Sequence, residues 1–427
     1  MAFVSPLPGR ESLIRLQLRL RSRISPWQNR SRADRFSRVA FTGPRSALNT
    51  TMVLLIGNYP LDRQQSMQRF GTMMLQGLNN SGIATKLIAP RARFGKFRGA
   101  GSFVAKWLGY IDKFVLFPRQ LQAALAKEKP SVVHICDHSN AMYEGWIDHV
   151  PVVVTCHDLL AVRGALGEET NCPASPTGKI LQRWILRGLR RANEVVCDSQ
   201  ATEADARSLV SRGGASPKVD LVRLGLNYPF RKLSEAQVSA RLAGIPGLNP
   251  DLSFLLHVGS NLRRKNRDGA LRIFALCKEK WNARLVFVGD ALTQELLSLA
   301  DRLGISDRIM QVPDASDELL EALYNRAVAL LYPSRFEGFG WPVIEAQACG
   351  CPVVCSNSGP LPEAAGDAGL FHDVDDEPGF AADLLRLSDP AQRTIWSEKS
   401  LRNAERFSTS RMVSQYIDIY RSLGAQL

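Results

Sequence analysis

From Met52 onward, short apolar runs alternate with longer amphipathic stretches. "MVLLIG", "ATKLIAP", "SVVHICD", "VPVVVTCHD" and "EVVCDS" have strand length, and "KVDLVRLGLN" closes the series. "QQSMQRFGTMMLQGLNN" and "PTGKILQRWILRGLRR" instead repeat their apolar residues with the period of a helix. The rhythm restarts at "SFLLHVG" and continues through "ARLVFVGD", "RIMQV", "VALLYPS" and "PVVCS". The helical patterns between these are "RDGALRIFALCKEKW", "TQELLSLADRLG" and "SDELLEALYNRA". Strands that are apolar on both faces and alternate with helices predict parallel sheets covered on both sides. The Pro/Gly/Asn-rich "AGIPGLNPDL" lies between the two series, and 427 residues are too many for one core. The expected fold class is α/β, with two doubly wound Rossmann-like domains facing across a cleft. The first covers 52–226 and the second 253–408, with a linker at 227–252. A last amphipathic helix at 409–427 is placed to pack back on the first domain.

Charge changes the picture at one end only. The net charge is +13, but residues 1–51 hold ten Arg against Glu11 and Asp34, so the remainder carries +5. Three readings of this arm compete: a disordered tail, a segment adhering to anionic lipid, or sequence upstream of the natural start, with Met52 just before the first strand. We read it as disordered or non-native. A mildly basic body with no zinc-finger, RNP or P-loop pattern argues against nucleic acid as a partner; "SPTGKI" lacks the first Gly and the Ser/Thr of a phosphate loop. No apolar run is long enough to span a bilayer. The eight Cys fall mostly in strand-like runs, as expected of reduced, buried thiols in a cytoplasmic protein. Cys349, Cys351 and Cys355 cluster without a zinc spacing, and no metal site is expected there.

The loops that follow strands carry the candidate chemistry, because ligands of such sheets bind at the carboxyl ends of strands. "HVGSNLRRKN" leaves a strand at Gly259 and delivers Arg264 and Lys265. "SRFEGFGWPVIEAQACGC" leaves another, with Pro342 suited to a helix's first turn and Gly350 to its exit. Phe339 and Gly340 then lie at a helix N-terminus, whose N–H groups favour an anion. Taken singly, Glu345 fits a helix-dipole partner and "RRKN" a solvated helix start. Together they describe a nucleotide sugar: a diphosphate on Arg264, Lys265 and the N–H groups, a ribose diol on Glu345, and hexose hydroxyls on Glu337.

With Glu337 and Glu345 separated by seven residues, and with "HVGSNLRRKN" and "NSGPLPEAAGDAGLFHDVDD", the chain resembles the retaining glycosyltransferases of family 4, glycosyltransferase group 1, with the GT-B fold. The likeness runs from about Met52 to the end and is strongest over 254–376. Trp341 stands where the family often has a smaller aliphatic residue. "VVVTCHDLL" is similar to the family's His-Asp strand end, which implies His157 at the donor sugar. The resemblance implies transfer of a sugar from a nucleoside-diphosphate sugar to a hydroxyl acceptor with retention, by front-side attack. His157, Glu337, Arg264 and Lys265 would be catalytic, and Gly259, Phe339, Gly340 and Glu345 would bind the donor. No cofactor is expected, and no metal, although Asp373 and Asp375 stand one residue apart. A sugar-nucleotide epimerase on the same fold and a non-catalytic nucleotide-sugar-binding protein remain as rivals. The segment beginning at Arg91, "RARFGKFRGAGSFVAKWLGYIDKFVLFPRQL", interleaves bases with aromatics. It reads either as a helix with inward aromatics or as a contact with anionic membrane, suiting a lipid-linked acceptor at the cytoplasmic face.

Overall fold

A computed structural model describes residues 52–62, 64–96, 102–170, 172, 174–211, 216–245, 247–248 and 253–427, with 102–106 described by their backbone. The Arg-rich arm and the readings of it lie outside the described residues. The apolar runs form two six-stranded parallel sheets. The first contains β1 (Met52–Ile56), β2 (Ala84–Ile88), β3 (Val132–Ile135), β4 (Val152–Cys156), β5 (Glu194–Cys197) and β6 (Lys218–Leu221), in the order β2-β1-β3-β4-β5-β6. The second contains β7 (Phe254–Gly259), β8 (Arg284–Gly289), β9 (Ile309–Val312), β10 (Ala329–Tyr332), β11 (Val353–Ser356) and β12 (Gly369–His372), in the order β12-β11-β10-β7-β8-β9. Both are doubly wound. Each has a point where the chain, having built outward one way, returns to build the other way. These points lie between β1 and β3 in the first sheet and between β7 and β10 in the second.

The helices that bear on the site are labelled α1 (Gln65–Asn80), α2 (Ser102–Ile111), α3 (Phe117–Glu128), α4 (Pro176–Arg191), α5 (Trp341–Ala348) and α6 (Thr409–Ser422). A π-helical turn, Asp112–Leu116, joins α2 to α3. The start of α4 follows from sequence: Ser175 caps it by accepting from the Gly178 N–H, and Pro176 fills the first turn, where a missing N–H costs nothing.

Helix α6 leaves the second half and packs on the first. It lies against α1 at Gly77, where a Cβ would collide with Val413. Its two tyrosines enter a buried polar chain. The Tyr416 hydroxyl bonds Thr155 Oγ1 at 2.7 Å, Thr155 bonds His134 Nε2 at 2.7 Å, and the Tyr420 hydroxyl bonds His134 Nδ1 at 2.7 Å. Where the chain crosses between halves, the Leu226 N–H donates to Phe407 O, and the Thr409 hydroxyl donates to Leu226 O at 2.8 Å. Trp341, the departure noted in the sequence, donates its indole N–H to Gly225 O at 3.1 Å and so fastens α5 to this crossing.

Burial, and secondarily the charge of His157, pushes the His134 imidazole down to about 3. The ring stays neutral in the fold but takes up a proton in the unfolded chain below about pH 6.5. Its contribution to stability is therefore full above that pH and declines as pH falls toward 3. Urea unfolding should show stability falling on acidification from pH 6.5. At pH 7.5, Tyr420→Phe should cost about 1–3 kcal/mol, because it leaves a buried ring nitrogen without its partner.

Candidate active site

In open parallel sheets, ligands bind outside the carboxyl ends of the strands where the winding reverses. In the second half that place is the gap between β7 and β10, and the loops leaving these two strands are the two singled out from sequence. After Gly259, Arg263–Lys265 form a single tight turn. Asn266 then adopts a left-handed conformation with φ 52°, which asparagine tolerates better than most residues. Its side-chain amide donates to Pro333 O at 2.9 Å. In return, the Arg335 N–H donates to Arg264 O at 2.7 Å, and the Arg264 guanidinium donates to Phe336 O at 3.2 Å. The two loops are thus stitched into one unit. Gly259 lies beneath it, since a Cβ there would press on the Lys265 stem at 3.3 Å.

Within this unit Glu337 sits between both cations. Arg264 Nη1 donates to its Oε2 at 2.7 Å, and Lys265 Nζ donates to its Oε1 at 2.7 Å. Lys265 also donates to the Tyr332 hydroxyl at 2.6 Å. Burial favours a neutral carboxyl, but Lys265 and then Arg264 outweigh it and hold Glu337 down at about 2. For Lys265, burial, with Arg264 adding to it, outweighs the pull of Glu337 and lowers its pKa. Sequence reasoning gave Glu337 to a ligand's hydroxyls. The structure also makes it the counter-charge of the cation pair.

The next residues are glycines for steric reasons. A Cβ at Gly338 would lie 2.7 Å from His157 O of the first half. Gly340 has φ 101°, and a Cβ there would lie 2.7 Å from Leu361 Cδ2. The Phe339 ring points into the core against Phe407, their centroids 5.9 Å apart, so only its backbone can serve the site. Helix α5 begins at Trp341 with Pro342 in its first turn. It ends as the sequence suggests: Gly350 is left-handed with its N–H on Gln347 O, and the Cys351 N–H returns to Ala346 O. Glu345, one turn into α5, is 4% exposed and has a partner on each oxygen: Asn227 Nδ2 at 2.8 Å and the Tyr324 hydroxyl at 3.0 Å. Burial raises its pKa in spite of these bonds.

His157 follows β4, next to Asp198, which follows β5; the register pairs Cys156 with Cys197. Its Nδ1 bonds Asp198 Oδ2 at 2.9 Å, its Nε2 bonds Cys136 O at 3.1 Å, and it is 3% exposed. Both partners are acceptors, so the ring is arranged to donate twice. Burial works to lower its pKa, but Asp198, then Asp137, outweigh it and raise it. In this arrangement neither ring nitrogen is left for a ligand. Asp198, together with Asn58 and Asp137 (joined by a hydrogen bond at the first sheet's reversal point), was missed by sequence reasoning. The available signal was that "TCHD" and "VCDS" both end apolar strands at a carboxylate.

Between the halves lies a cavity of about 720 Å³. Asp158, Thr170 and Asp205 bound it on one side, and Arg335, Glu337 and Ser358 on the other. Glu337 is the member of the ion cluster that borders it; Arg264 and Lys265 lie behind this carboxylate. Asp375 is turned to Arg335, 3.2 Å away.

Two family models match the chain. Glycosyl transferases group 1 matches residues 240–401, and Glycosyltransferase Family 4 matches 67–219. The O-antigen chain mannosyltransferase B of Escherichia coli is 36% identical over 51% of this chain; the chain spans 62% of that protein's length. Sucrose-phosphate synthase from Thermosynechococcus elongatus superposes with a TM-score of 0.71 at 21% identity, over 88% of this chain and all of its own. Anabaena HepE, solved with UDP and glucose, superposes with a TM-score of 0.65 at 17% identity, over 87% of this chain and 99% of its own. Likeness at this identity shows a shared fold.

Removing the carboxylate tests its place between the cations. Glu337→Gln should destabilise the protein without ligand by about 2–4 kcal/mol, since it leaves buried Lys265 and half-buried Arg264 without their counter-charge. A residue serving ligand contacts alone would leave the urea midpoint unchanged or raise it.

Proposed function

We propose that this chain, which belongs to the group 1 glycosyltransferases and has the GT-B fold, moves a hexose from a nucleoside-diphosphate sugar to a hydroxyl acceptor in polysaccharide or glycolipid synthesis, with retention of configuration. The observation that carries the reading is the Arg264–Glu337–Lys265 cluster at the winding reversal, whose Glu337 borders the cavity between the halves. The O-antigen function in the name of the Escherichia coli relative and the UDP and glucose held by Anabaena HepE support this class of donor and product.

In the proposed reaction the bond from the anomeric carbon to the diphosphate oxygen breaks, and negative charge gathers on the leaving group. Arg264 and Lys265 are fixed beforehand where that charge develops, together with the backbone N–H groups at the start of α5, so little reorganisation is needed. Glu337 keeps the cations charged in a buried place and presents its carboxylate to the sugar. The acceptor hydroxyl attacks from the face the diphosphate leaves, and its proton passes to the departing phosphate oxygen. Glu345 would exchange Asn227 for the ribose diol. His157, held by Asp198 and Cys136 O, would fix the first half's strand ends against Gly338. Because two side-chain cations neutralise the diphosphate, the reaction is proposed to need no metal ion. The acceptor is proposed to be lipid-linked, at the cytoplasmic leaflet.

Incubation with a panel of nucleotide sugars should release a nucleoside diphosphate from one of them and glycosylate a hydroxyl acceptor. Release of an epimerised sugar nucleotide without transfer would overturn the reading. Lys265→Ala should cut turnover about 100- to 1000-fold, the usual effect of removing one fixed donor to developing charge. Activity should survive EDTA; loss that Mg²⁺ or Mn²⁺ restores would return Asp373 and Asp375 to consideration. Glu345→Gln should weaken binding of the free nucleoside diphosphate in calorimetry, and unchanged affinity would remove the ribose role.

A further inference from the structure

We infer that the first half docks on an anionic lipid surface through one face built from α2, the π-helical turn, α3 and α4; the inference rests on the lipid-linked acceptor proposed above but is read out independently of catalysis. Large apolar side chains in solvent are concentrated here. Trp107 (49% exposed), Ile111 and Val115 (48%) follow each other at four-residue steps along the α2 face and into the π-helical turn. Ile180 (66%) and Trp184 do the same on α4. Edge-on and tilted ring contacts make the two stripes one surface. Trp107 meets Tyr110 with centroids 5.6 Å apart, Tyr110 meets Phe114 at 5.4 Å, Phe114 meets Trp184 at 5.4 Å, and Trp184 meets Trp146 at 5.6 Å. Joined apolar exposure of this kind marks a docking surface, whereas scattered single residues do not.

The charges identify the partner. Arg119 continues the α2 stripe by one more four-residue step, and Lys179, Arg183 and Arg187 line the exposed side of α4. Among the described residues none of these four lies within salt-bridge reach of a carboxylate. The nearby acids are already committed. Asp112 is buried and accepts from the N–H groups of Arg93, Phe94 and Gly95 and from the Tyr59 hydroxyl. Asp62 pairs with Lys113 at 3.0 Å. At the edge of the face, Arg91, Arg93 and Arg119, outnumbering the one carboxylate of Asp112, border a cavity of about 370 Å³, large enough for a headgroup phosphate. A second copy of the chain would set bases against bases. Nucleic acid would leave Ile111, Val115 and Ile180 in water. An anionic bilayer satisfies both features at once: bases at the phosphates, aromatics and aliphatics at the acyl boundary.

The test is partitioning of the full chain onto vesicles of phosphatidylglycerol mixed with phosphatidylcholine, and of phosphatidylcholine alone. Wild type is compared with Ile111→Ser/Ile180→Ser and with Arg119→Glu/Arg183→Glu, every protein retaining residues 1–51. Each base near such a surface adds about fivefold to binding, so the charge-reversed pair should partition at least 25-fold more weakly on anionic vesicles. The serine pair should lose at least tenfold. Wild-type binding should fall with added salt. Both pairs should keep the wild-type urea midpoint and wild-type transfer of sugar to a soluble acceptor, read as nucleoside diphosphate released. Equal partitioning of all three proteins would overturn the inference. So would a wild-type protein that ignores anionic vesicles at low salt, or one that self-associates in solution through this face and is made monomeric by either pair. A chain that binds vesicles through this face yet transfers no sugar would count against the catalytic reading alone.

Discussion

Arg264 and Lys265 are neighbours in one short loop, and the carboxylate of Glu337 between them lets both remain charged below the surface. Like charges this close, out of water, would otherwise shed a proton or push the loop open. The ion pairs are geometric as much as electrostatic. They fix the loop after β7 to the loop after β10, and so set the direction in which α5 starts. The glycines that follow allow the second half to approach the carbonyl of His157 in the first. The cluster therefore governs both the charge offered to a ligand and the fit between the halves.

The first half faces this cluster with a different kind of order. Its strand ends carry a buried polar group, Asn58, Asp137, His157 and Asp198, behind the carboxylates of Asp158 and Asp205 that border the cavity. The second half thus concentrates its charge in one ion cluster, and the first half holds its strand ends with buried hydrogen bonds. Contacts across the cleft join the halves: Arg69 pairs with Asp317 at 2.7 Å, and Arg223 with Glu363 at 2.9 Å.

Much of this was legible in the sequence, for identifiable reasons. Parallel strands buried on both faces must be apolar throughout, so "MVLLI" or "RLVFVG" are recognisable alone. The short "GLFH" of β12, with one histidine and one glycine in four residues, is not, and no strand was read there. Pro342 and Gly350 announced the two ends of α5 because each suits few other positions. What could not be read was adjacency. That β7 lies beside β10 is decided by tertiary packing, and only this adjacency turns Glu337 into a counter-charge. The same holds for Asp198 beside His157, and for α4, legible as a basic helix but not as the neighbour of Phe114 and Trp146. Glu345 was legible as a helical carboxylate, whereas its closure by Asn227 depends on where the linker runs.

The last helix belongs, in space, to the half that is synthesised first. Until residues 409–422 have emerged, His134 and Thr155 lack the hydroxyls of Tyr420 and Tyr416, and the Gly77 face of α1 is bare. Domains generally fold in the order in which they leave the ribosome. Here the first half can assemble its sheet early but cannot finish its core until residues 409–422 have been made. A chain cut before Thr409 therefore loses not a dispensable segment but the wedge that completes its first half.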